Sequence, residues 1–263
     1  MTILEALILG IIQGLTEFLP VSSSGHIEIG KAILGVTPSD PLLFSVVVHA
    51  ATALSTIIIF RDDILMLVRL LFEKEWWNAG RQYILYIIIS MVPAVLVGLF
   101  YKDEIESLFN NNVLLVGMML IITALLLFMT TMVKKKRGPI GYFNSAIIGI
   151  AQAIAILPGI SRSGATIATA LLLGVEKTRA ARFSFLMVIP VILGAMAKDL
   201  MDMDTSVAAS ETEIMPLVVG FIAAFVTGLA ACTWMIQLVK KSRLVYFAVY
   251  CFVIGVVAII IAY

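Results

Sequence analysis

The chain has 263 residues, of which 61% are hydrophobic and 13% are charged, and its formal net charge is +1. Soluble globular domains carry about 25% charged residues, so a mean hydropathy of +1.08 excludes an ordinary soluble enzyme. The composition also excludes a disordered chain and a disulfide scaffold, and the near-neutral charge gives no reason to expect a nucleic-acid partner.

Six apolar stretches are long enough to cross a membrane as helices. A helix needs about 20 apolar residues to cross a hydrocarbon core that is about 30 Å thick. The stretches that meet this condition are 42–60, 83–101, 113–133, 183–200, 216–238 and 245–263. We therefore predict an all-α integral membrane protein with six transmembrane helices.

Two further apolar regions are interrupted by polar residues. Region 3–36 is broken by Pro20 and the sequence SSSGH, and region 140–175 is broken by Pro158 and the sequence GISRSG. Irregular backbone at membrane depth is tolerated only where it is buried in protein or lines a wet cavity. We predict that each region is a re-entrant helical hairpin, which enters the membrane, turns near the midplane and leaves on the same side.

The two broken regions match each other at a constant offset of 139 residues. The polar and glycine matches are Gln13 with Gln152, Ser22 with Ser161, Ser24 with Ser163, and Gly25 with Gly164. This pattern predicts a duplication, with 1–133 as the first repeat and 140–263 as the second. Three predicted crossings separate the hairpins, and an odd number inverts the second repeat. Inverted repeats with broken helices place their site at the repeat interface, so the two polar turns should face each other.

Basic residues are concentrated on one predicted side of the membrane. Fourteen of the eighteen Lys and Arg residues lie in the loops 61–82, 134–139, 176–182 and 239–244, whereas the opposite loop 199–215 is acidic. The positive-inside bias assigns the basic side to the cytoplasm and both termini to the outside. We also expect Trp76 and Trp77 to lie in the interfacial belt on the cytoplasmic side.

The first hairpin carries a carboxylate, an amide, hydroxyl groups and an imidazole. Gln13 and Glu17 are four residues apart and share a helix face, and an ionisable group within an apolar segment indicates a functional site with a partner. Ser22, Ser23 and His26 follow at the turn. The alternatives are a Glu17 side chain that reaches the interface and a His26 that only packs.

A divalent cation fits the first hairpin if ligands from the substrate complete its shell. Glu17 and Gln13 supply few ligands by themselves, and Mg²⁺ usually takes its remaining ligands from phosphate oxygens and water. His49 lies one helical turn after Ser45 in the first predicted crossing. A cavity-facing position and a packing position are equally consistent with its spacing.

The second hairpin carries Arg162 among hydroxyl groups. A guanidinium stays charged and fits phosphate or carboxylate geometry, so an arginine at membrane depth requires an anion. Ser161, Ser163 and Thr166 add donors next to a helix that starts near Gly164, and a helix N-terminus favours negative charge. This combination indicates a phosphate site; a purely structural ion pair between Glu17 and Arg162 is the alternative.

Together the two turns supply the parts of a phosphoryl-transfer site: a hydroxyl nucleophile, a proton acceptor, a carboxylate for a cation and a cationic clamp. A second hypothesis is a transporter or flippase for a phosphorylated lipid, because inverted repeats with broken helices also form transporters. A third, the membrane phosphatase type that needs a histidine after its Ser-Arg motif, is excluded because the chain has only His26 and His49.

The sequences GLTEFLPVSSSGH at 14–26 and LPGISRSGATI at 157–167 resemble the two signature motifs of the bacterial undecaprenyl-diphosphate phosphatases of the bacitracin-resistance type. FSFLMVIP at 183–190 and the length fit the same family. The resemblance implies an integral phosphatase of the bacterial plasma (inner) membrane that converts the C55 isoprenoid diphosphate into undecaprenyl phosphate, the lipid carrier for peptidoglycan. It also implies bacitracin resistance, a divalent cation such as Mg²⁺ or Ca²⁺, and a site reached from the outer face. It leaves the oligomeric state open.

The resemblance also assigns roles to individual residues. The essential carboxylate of the family falls on Glu17, its histidine on His26 and its motif serines on Ser22 and Ser23. The phosphate-binding residues of the second motif fall on Ser161, Arg162 and Thr166, with Ser163 between them. We expect Ser23 to be the nucleophile, with His26 or Glu17 as proton acceptor, and a phosphorylated His26 as the competing assignment. Gln13 stands where family members often carry Glu, which leaves Glu17 as the anionic member of the Gln13–Glu17 pair.

Overall fold

A computed structural model describes residues 1–36, 41–74, 77–108, 112–133, 138–202, 214–241 and 244–262. Within these ranges the chain forms α-helices and no β-strand, apart from one isolated bridge between Gly138 and Val175. Trp76 and the basic run 134–137 lie outside the described residues, whereas Trp77 is half exposed.

The described chain has twelve α-helices. They are α1 (Ile3–Phe18), α2 (Ser23–Leu34), α3 (Pro41–Ile59), α4 (Arg61–Leu71), α5 (Ala79–Phe100), α6 (Lys102–Leu108), α7 (Val113–Met129, extended by a 3-10 turn at Thr130–Met132), α8 (Tyr142–Ile154), α9 (Arg162–Leu172), α10 (Lys177–Asp202), α11 (Ile214–Lys240) and α12 (Leu244–Ile261).

Five helices are long and apolar enough to cross a membrane: α5, α7, α10, α11 and α12. Helix α3 becomes the sixth if it is counted together with α4, toward which the chain bends by 71° at Phe60. The outer surfaces of these helices carry large exposed apolar side chains, for example Ile88 on α5 and Phe252 on α12. Such surface is stable next to lipid rather than water, so the chain is an all-helical, multi-pass membrane protein.

Both regions that the sequence marks as broken are a helix, a break and a second helix. In the first region α1 ends at Phe18 and α2 begins at Ser23; in the second, α8 ends at Ile154 and α9 begins at Arg162. In each region the second helix packs back against the first, α2 on α1 and α9 on α8.

Each second helix is started by a serine N-cap. The Oγ of Ser22 accepts a hydrogen bond from the N–H of Gly25 at 3.2 Å, and the Oγ of Ser161 accepts one from the N–H of Gly164 at 3.1 Å. A serine N-cap satisfies an N–H group that the first helical turn leaves unpaired. Ser22 does so with a φ of 69°, in the left-handed region that non-glycine residues rarely adopt.

Close helix contacts depend on glycines in α1 and α8. Gly10 lies against the backbone of Gly220 in α11, and Gly149 lies against the backbone of Ser90 in α5. A Cβ atom at either glycine would overlap the neighbouring helix, so only glycine permits this approach. These contacts bring the broken helices into the centre of the bundle, where their polar ends meet.

Candidate functional site

The two breaks border one cavity of about 330 Å³ in the interior of the helix bundle. Its walls come from α1, α2, α3, α5, α8, α9 and α10. Most of the wall is apolar, and its polar groups include Gln13, Glu17, Ser23, Gln152, Ser161 and Arg162. A largely apolar cavity with a few converging polar groups is typical of a small-molecule site.

Glu17 is the residue to which both hairpins connect. Its Oε2 accepts hydrogen bonds from the Oγ of Ser23 at 2.6 Å and from the Nε2 of Gln13 at 3.0 Å. Its Oε1 accepts a hydrogen bond from the Nη2 of Arg162, which comes from the second hairpin. Because the carboxylate is buried, its charge needs a partner, and this ion pair together with its hydrogen bonds supplies one. The structure thus brings Gln13, Glu17, Ser23 and Arg162 together.

The local sequence explains why these groups converge. Glu17 lies in the last turn of α1, one turn after Gln13, and Ser23 and Arg162 are the first residues of α2 and α9. Both helix N-termini therefore adjoin the cavity, where their unpaired N–H groups favour an anion. A carboxylate in hydrogen-bond contact with a hydroxyl is the geometry that general-base activation of a nucleophile requires.

The structure places His26 outside the lining of this cavity. Its Nδ1 is 2.8 Å from the carbonyl oxygen of Ser22, which can only accept, so Nδ1 carries a proton. Its Nε2 is 2.8 Å from the hydroxyl of Tyr250, and the two rings stack at 5.6 Å. Both ring nitrogens of His26 are therefore engaged away from Glu17 and Ser23.

His49, whose position the sequence left open, lines the cavity. Its Nδ1 donates to the carbonyl oxygen of Ser45 at 2.8 Å, which directs Nε2 toward the carboxylate of Glu17. The distance between Nε2 and the Oε2 of Glu17 is 4.0 Å. The imidazole nearest to the carboxylate is thus that of His49.

Three predicted phosphate-binding residues make hydrogen bonds outside the cavity lining. The Oγ of Ser22 caps α2. The Oγ of Ser163 donates to the carbonyl oxygen of Leu19 at 3.1 Å and so links the two breaks. The hydroxyl of Thr166 is 2.6 Å from that of Ser184 in α10. The structure places these side chains where they support the turns, and among the predicted second-motif residues it places Ser161 and Arg162 in the cavity.

Sequence reasoning missed a buried amide and a charge pair in the cavity lining. Gln152 lines the cavity from α8, and its match with Gln13 at the repeat offset is the signal that could have identified it. Glu28 and Lys31 line it from α2, where the Lys31 ammonium is 2.9 Å from the Glu28 carboxylate. Opposite charges three residues apart in a weakly apolar helix were the available signal for this pair.

The cavity holds few groups for a metal ion. Among the described residues, no cluster of three or more His, Cys, Asp or Glu side chains could hold one. Glu17 is the carboxylate at the centre of the cavity, and the buried Oε1 of Gln13 next to it has no hydrogen-bond partner within the described chain. Glu17 and Gln13 are therefore the residues that would hold a cation such as Mg²⁺, which uses one or two carboxylates and takes other ligands from phosphate and water.

Comparisons with known proteins agree with one another. The family model described as bacitracin resistance protein BacA matches residues 6–257. An undecaprenyl-diphosphatase of Christiangramia forsetii is 59% identical over 100% of this chain and 99% of its own length. An undecaprenyl-diphosphatase of Bacteroides fragilis is 51% identical over 98% of this chain and 97% of its own length. One of Carboxydothermus hydrogenoformans is 40% identical over 98% of this chain and 96% of its own length. The chain therefore belongs to the family of the bacitracin resistance protein BacA.

Proposed function

We propose that this protein hydrolyses undecaprenyl diphosphate to undecaprenyl phosphate and inorganic phosphate, in the cavity that the two breaks form. The full-length relatives named undecaprenyl-diphosphatase support the activity. The observation that carries the assignment of the site is the contact of one buried carboxylate, Glu17, with a hydroxyl from the first hairpin and a guanidinium from the second. The product is the lipid carrier for cell-wall synthesis, and its release from the diphosphate accounts for the bacitracin resistance in the family description.

Ser23 is the proposed nucleophile and Glu17 its proton acceptor. The Oγ of Ser23 attacks the terminal phosphorus, its proton passes to Glu17, and the bond from phosphorus to the bridging oxygen breaks. Undecaprenyl phosphate leaves as an anion. Water then attacks the phosphoserine, the Ser23 oxygen takes the proton back from Glu17, and the proton left over from water departs with the phosphate. The 2.6 Å hydrogen bond between Ser23 and Glu17 supports this assignment over a phosphorylated His26.

Arg162 is proposed to bind the phosphoryl oxygens during both steps. A guanidinium has five N–H donors, so Arg162 can hold Glu17 and still donate to the substrate. Charge that develops on the phosphoryl group is stabilised by fixed donors in a site from which water is largely excluded. The N-cap turn at Ser161 orients Arg162, because Arg162 is the first residue of the helix that Ser161 caps.

A divalent cation, Mg²⁺ or Ca²⁺, is proposed to bind at Glu17 and the Oε1 of Gln13. When bound, such an ion neutralises phosphate charge and orients the head group. Gln13 also has a role that needs no cation: its Nε2 donates to Glu17 and fixes the orientation of the carboxylate.

We propose an inverted repeat, with six crossings, two re-entrant hairpins and halves at 1–133 and 140–263. Helix α1 of the first half packs on α11 of the second, and α8 of the second half packs on α5 of the first. The equivalent helices α7 and α12 pack on each other through Gly117 and Gly255. Each of these contacts between a helix of one half and a helix of the other thus has an equivalent contact with the halves interchanged, which supports the duplication. The distribution of basic loops supports an orientation in the bacterial plasma membrane with the basic side in the cytoplasm. Entry of the lipid head group from the outer face is proposed because the family resemblance implies it.

The test is phosphate release by purified protein from C55 diphosphate in detergent. Ser23→Ala should lower kcat by about 10³-fold or more, because removal of a nucleophile leaves only binding and electrostatic effects. Ser107→Ala is the matched control, since Ser107 is exposed on α6 and its hydroxyl donates to the carbonyl oxygen of Glu104 in the same helix. Chelation of divalent ions should lower the rate in the wild type. Full activity of Ser23→Ala would contradict the nucleophile assignment.

A transporter or flippase is the competing function, and it has no use for a hydroxyl nucleophile bonded to a carboxylate. If purified wild-type protein releases no phosphate and instead moves the lipid across a vesicle membrane, that function replaces the one proposed.

A further inference from the structure

Gln152 is a buried amide that nothing in the described chain satisfies. It lies in the last turn of α8, its exposed fraction is 1%, and neither its Oε1 nor its Nε2 has a hydrogen-bond partner among the described residues. The large majority of buried polar side-chain atoms in proteins are hydrogen-bonded, and each that is not lowers stability. Because both atoms are unpaired, the side chain is unsatisfied in either orientation of the amide.

A structural amide elsewhere in the chain shows the contrast. Asn78, also buried, caps α5: its Nδ2 donates to the carbonyl oxygen of Leu70 at 2.7 Å, and its Oδ1 accepts from the N–H of Arg81 at 2.9 Å. An amide retained for stability uses its donors and acceptors in this way. Gln152 uses neither, which points to a partner outside the chain.

The position of Gln152 indicates what that partner is. Its side chain lines the same cavity as Ser161 and Arg162, which follow it across the second break. Gln13, its match in the first repeat, donates to Glu17 and leaves its own Oε1 unpaired. A neutral donor on the Arg162 side adds a directed hydrogen bond for an anion without adding charge that would compete for Glu17.

We propose that Gln152 is a further phosphate-binding residue. Its Nε2 donates a hydrogen bond to a non-bridging oxygen of the terminal phosphate, and its Oε1 accepts a hydrogen bond from a water molecule or a phosphate hydroxyl. This inference rests on the proposed function, because it assigns the head group of that substrate to the cavity.

The test compares stability with ligand affinity in Gln152→Met. Thermal unfolding of the purified protein in detergent is followed with increasing inorganic phosphate and, separately, methylenediphosphonate. Without ligand, the Tm should stay the same or rise, because an unpaired buried amide is removed. The Kd of both ligands should rise at least tenfold. Gln237→Met, on the exposed side of α11, is the matched control and should change neither quantity.

The proposal would be overturned if Gln152→Met had a lower Tm without ligand and an unchanged Kd for both ligands. It would also be overturned if inorganic phosphate did not raise the Tm of the wild type. If Gln152→Met does not fold, Gln152→Asn withdraws the amide by one methylene and should still weaken phosphate binding at least threefold; unchanged binding would again overturn the proposal. Hydrolysis of C55 diphosphate by the same wild-type preparation decides the proposed function separately.

Discussion

The two breaks at the centre of the molecule share a scaffold and differ in charge. Each ends in a serine that caps the following helix through a glycine N–H three residues later. The first hairpin contributes the carboxylate of Glu17, whereas the second contributes the guanidinium of Arg162, and the two side chains bond to each other. The proposed duplication would give both turns this shared shape, and the difference in charge is what lets them form the ion pair at the centre of the proposed site.

The ion pair between the halves should show the largest effect. Glu17→Gln or Arg162→Gln alone should reduce phosphate release by about 10³-fold or more. Arg162→Gln should destabilise the fold by roughly 3–5 kcal/mol, because it leaves the buried carboxylate of Glu17 uncompensated. Glu17→Gln should cost less stability, because the guanidinium of Arg162 is only partly buried. The double substitution should cost less stability than the sum of the single ones. Thermal unfolding and activity of all four proteins measure this coupling; additive losses in stability would contradict a direct pair.

The glycine contacts test whether the halves pack equivalently. Gly10→Ala and Gly149→Ala each place a methyl group against a neighbouring helix backbone. Each should destabilise the protein by about 1–3 kcal/mol, as overpacking does. Gly98→Ala is the control, because a Cβ there meets no atom within 4 Å. Unfolding in denaturant gives the change in the free energy of unfolding for all three variants. If only one of Gly10→Ala and Gly149→Ala were destabilised, the two halves would not pack equivalently.

The capping serines should respond differently to glycine, although their hydrogen bonds are equivalent. Ser161→Ala removes a cap and should cost about 1 kcal/mol. Ser22→Ala should cost a similar amount, since serine and alanine both bear the strain of the positive φ of 69° that a glycine would relieve. The sharper comparison is Ser22→Gly, which should be less destabilising than Ser22→Ala when both are measured by thermal unfolding. The reverse order would contradict the backbone geometry at Ser22.

The smallest effect is expected for a charge pair that only the first hairpin has. Glu28 and Lys31 line the cavity from α2, while the matching positions in α9 are Ile167 and Ala170. Lys31→Gln should raise the KM for a lipid diphosphate by about threefold to tenfold, or roughly 0.7–1.4 kcal/mol, with kcat little changed. Glu28→Gln should lower the KM, because it leaves the ammonium unshielded. Lys198→Gln, on α10, is the control; equal changes in both cavity variants would contradict a role in binding the anion.

The sequence alone predicted the long apolar helices, the two breaks and the pair at the centre of the site, but not the short helices α4 and α6. Length and apolar composition identify helices such as α5 and α12, because a bilayer requires about 20 apolar residues per crossing. Pro20 and the serine-rich turns mark the breaks. Glu17 and Arg162 could be identified because a charge within an apolar region requires a partner, and each was the available partner for the other.

Only the tertiary structure decided which polar side chains line the cavity. His26, Ser163 and Thr166 belong to the same motifs as Ser23 and Arg162, yet their hydrogen bonds go to Tyr250, Leu19 and Ser184. His49 and Gln152 lie outside both motifs, and the sequence assigned neither of them a role. Both line the cavity. The rotation of a short helix is set by the break before it and by the helices that pack around it, and neither follows from the order of residues along the chain.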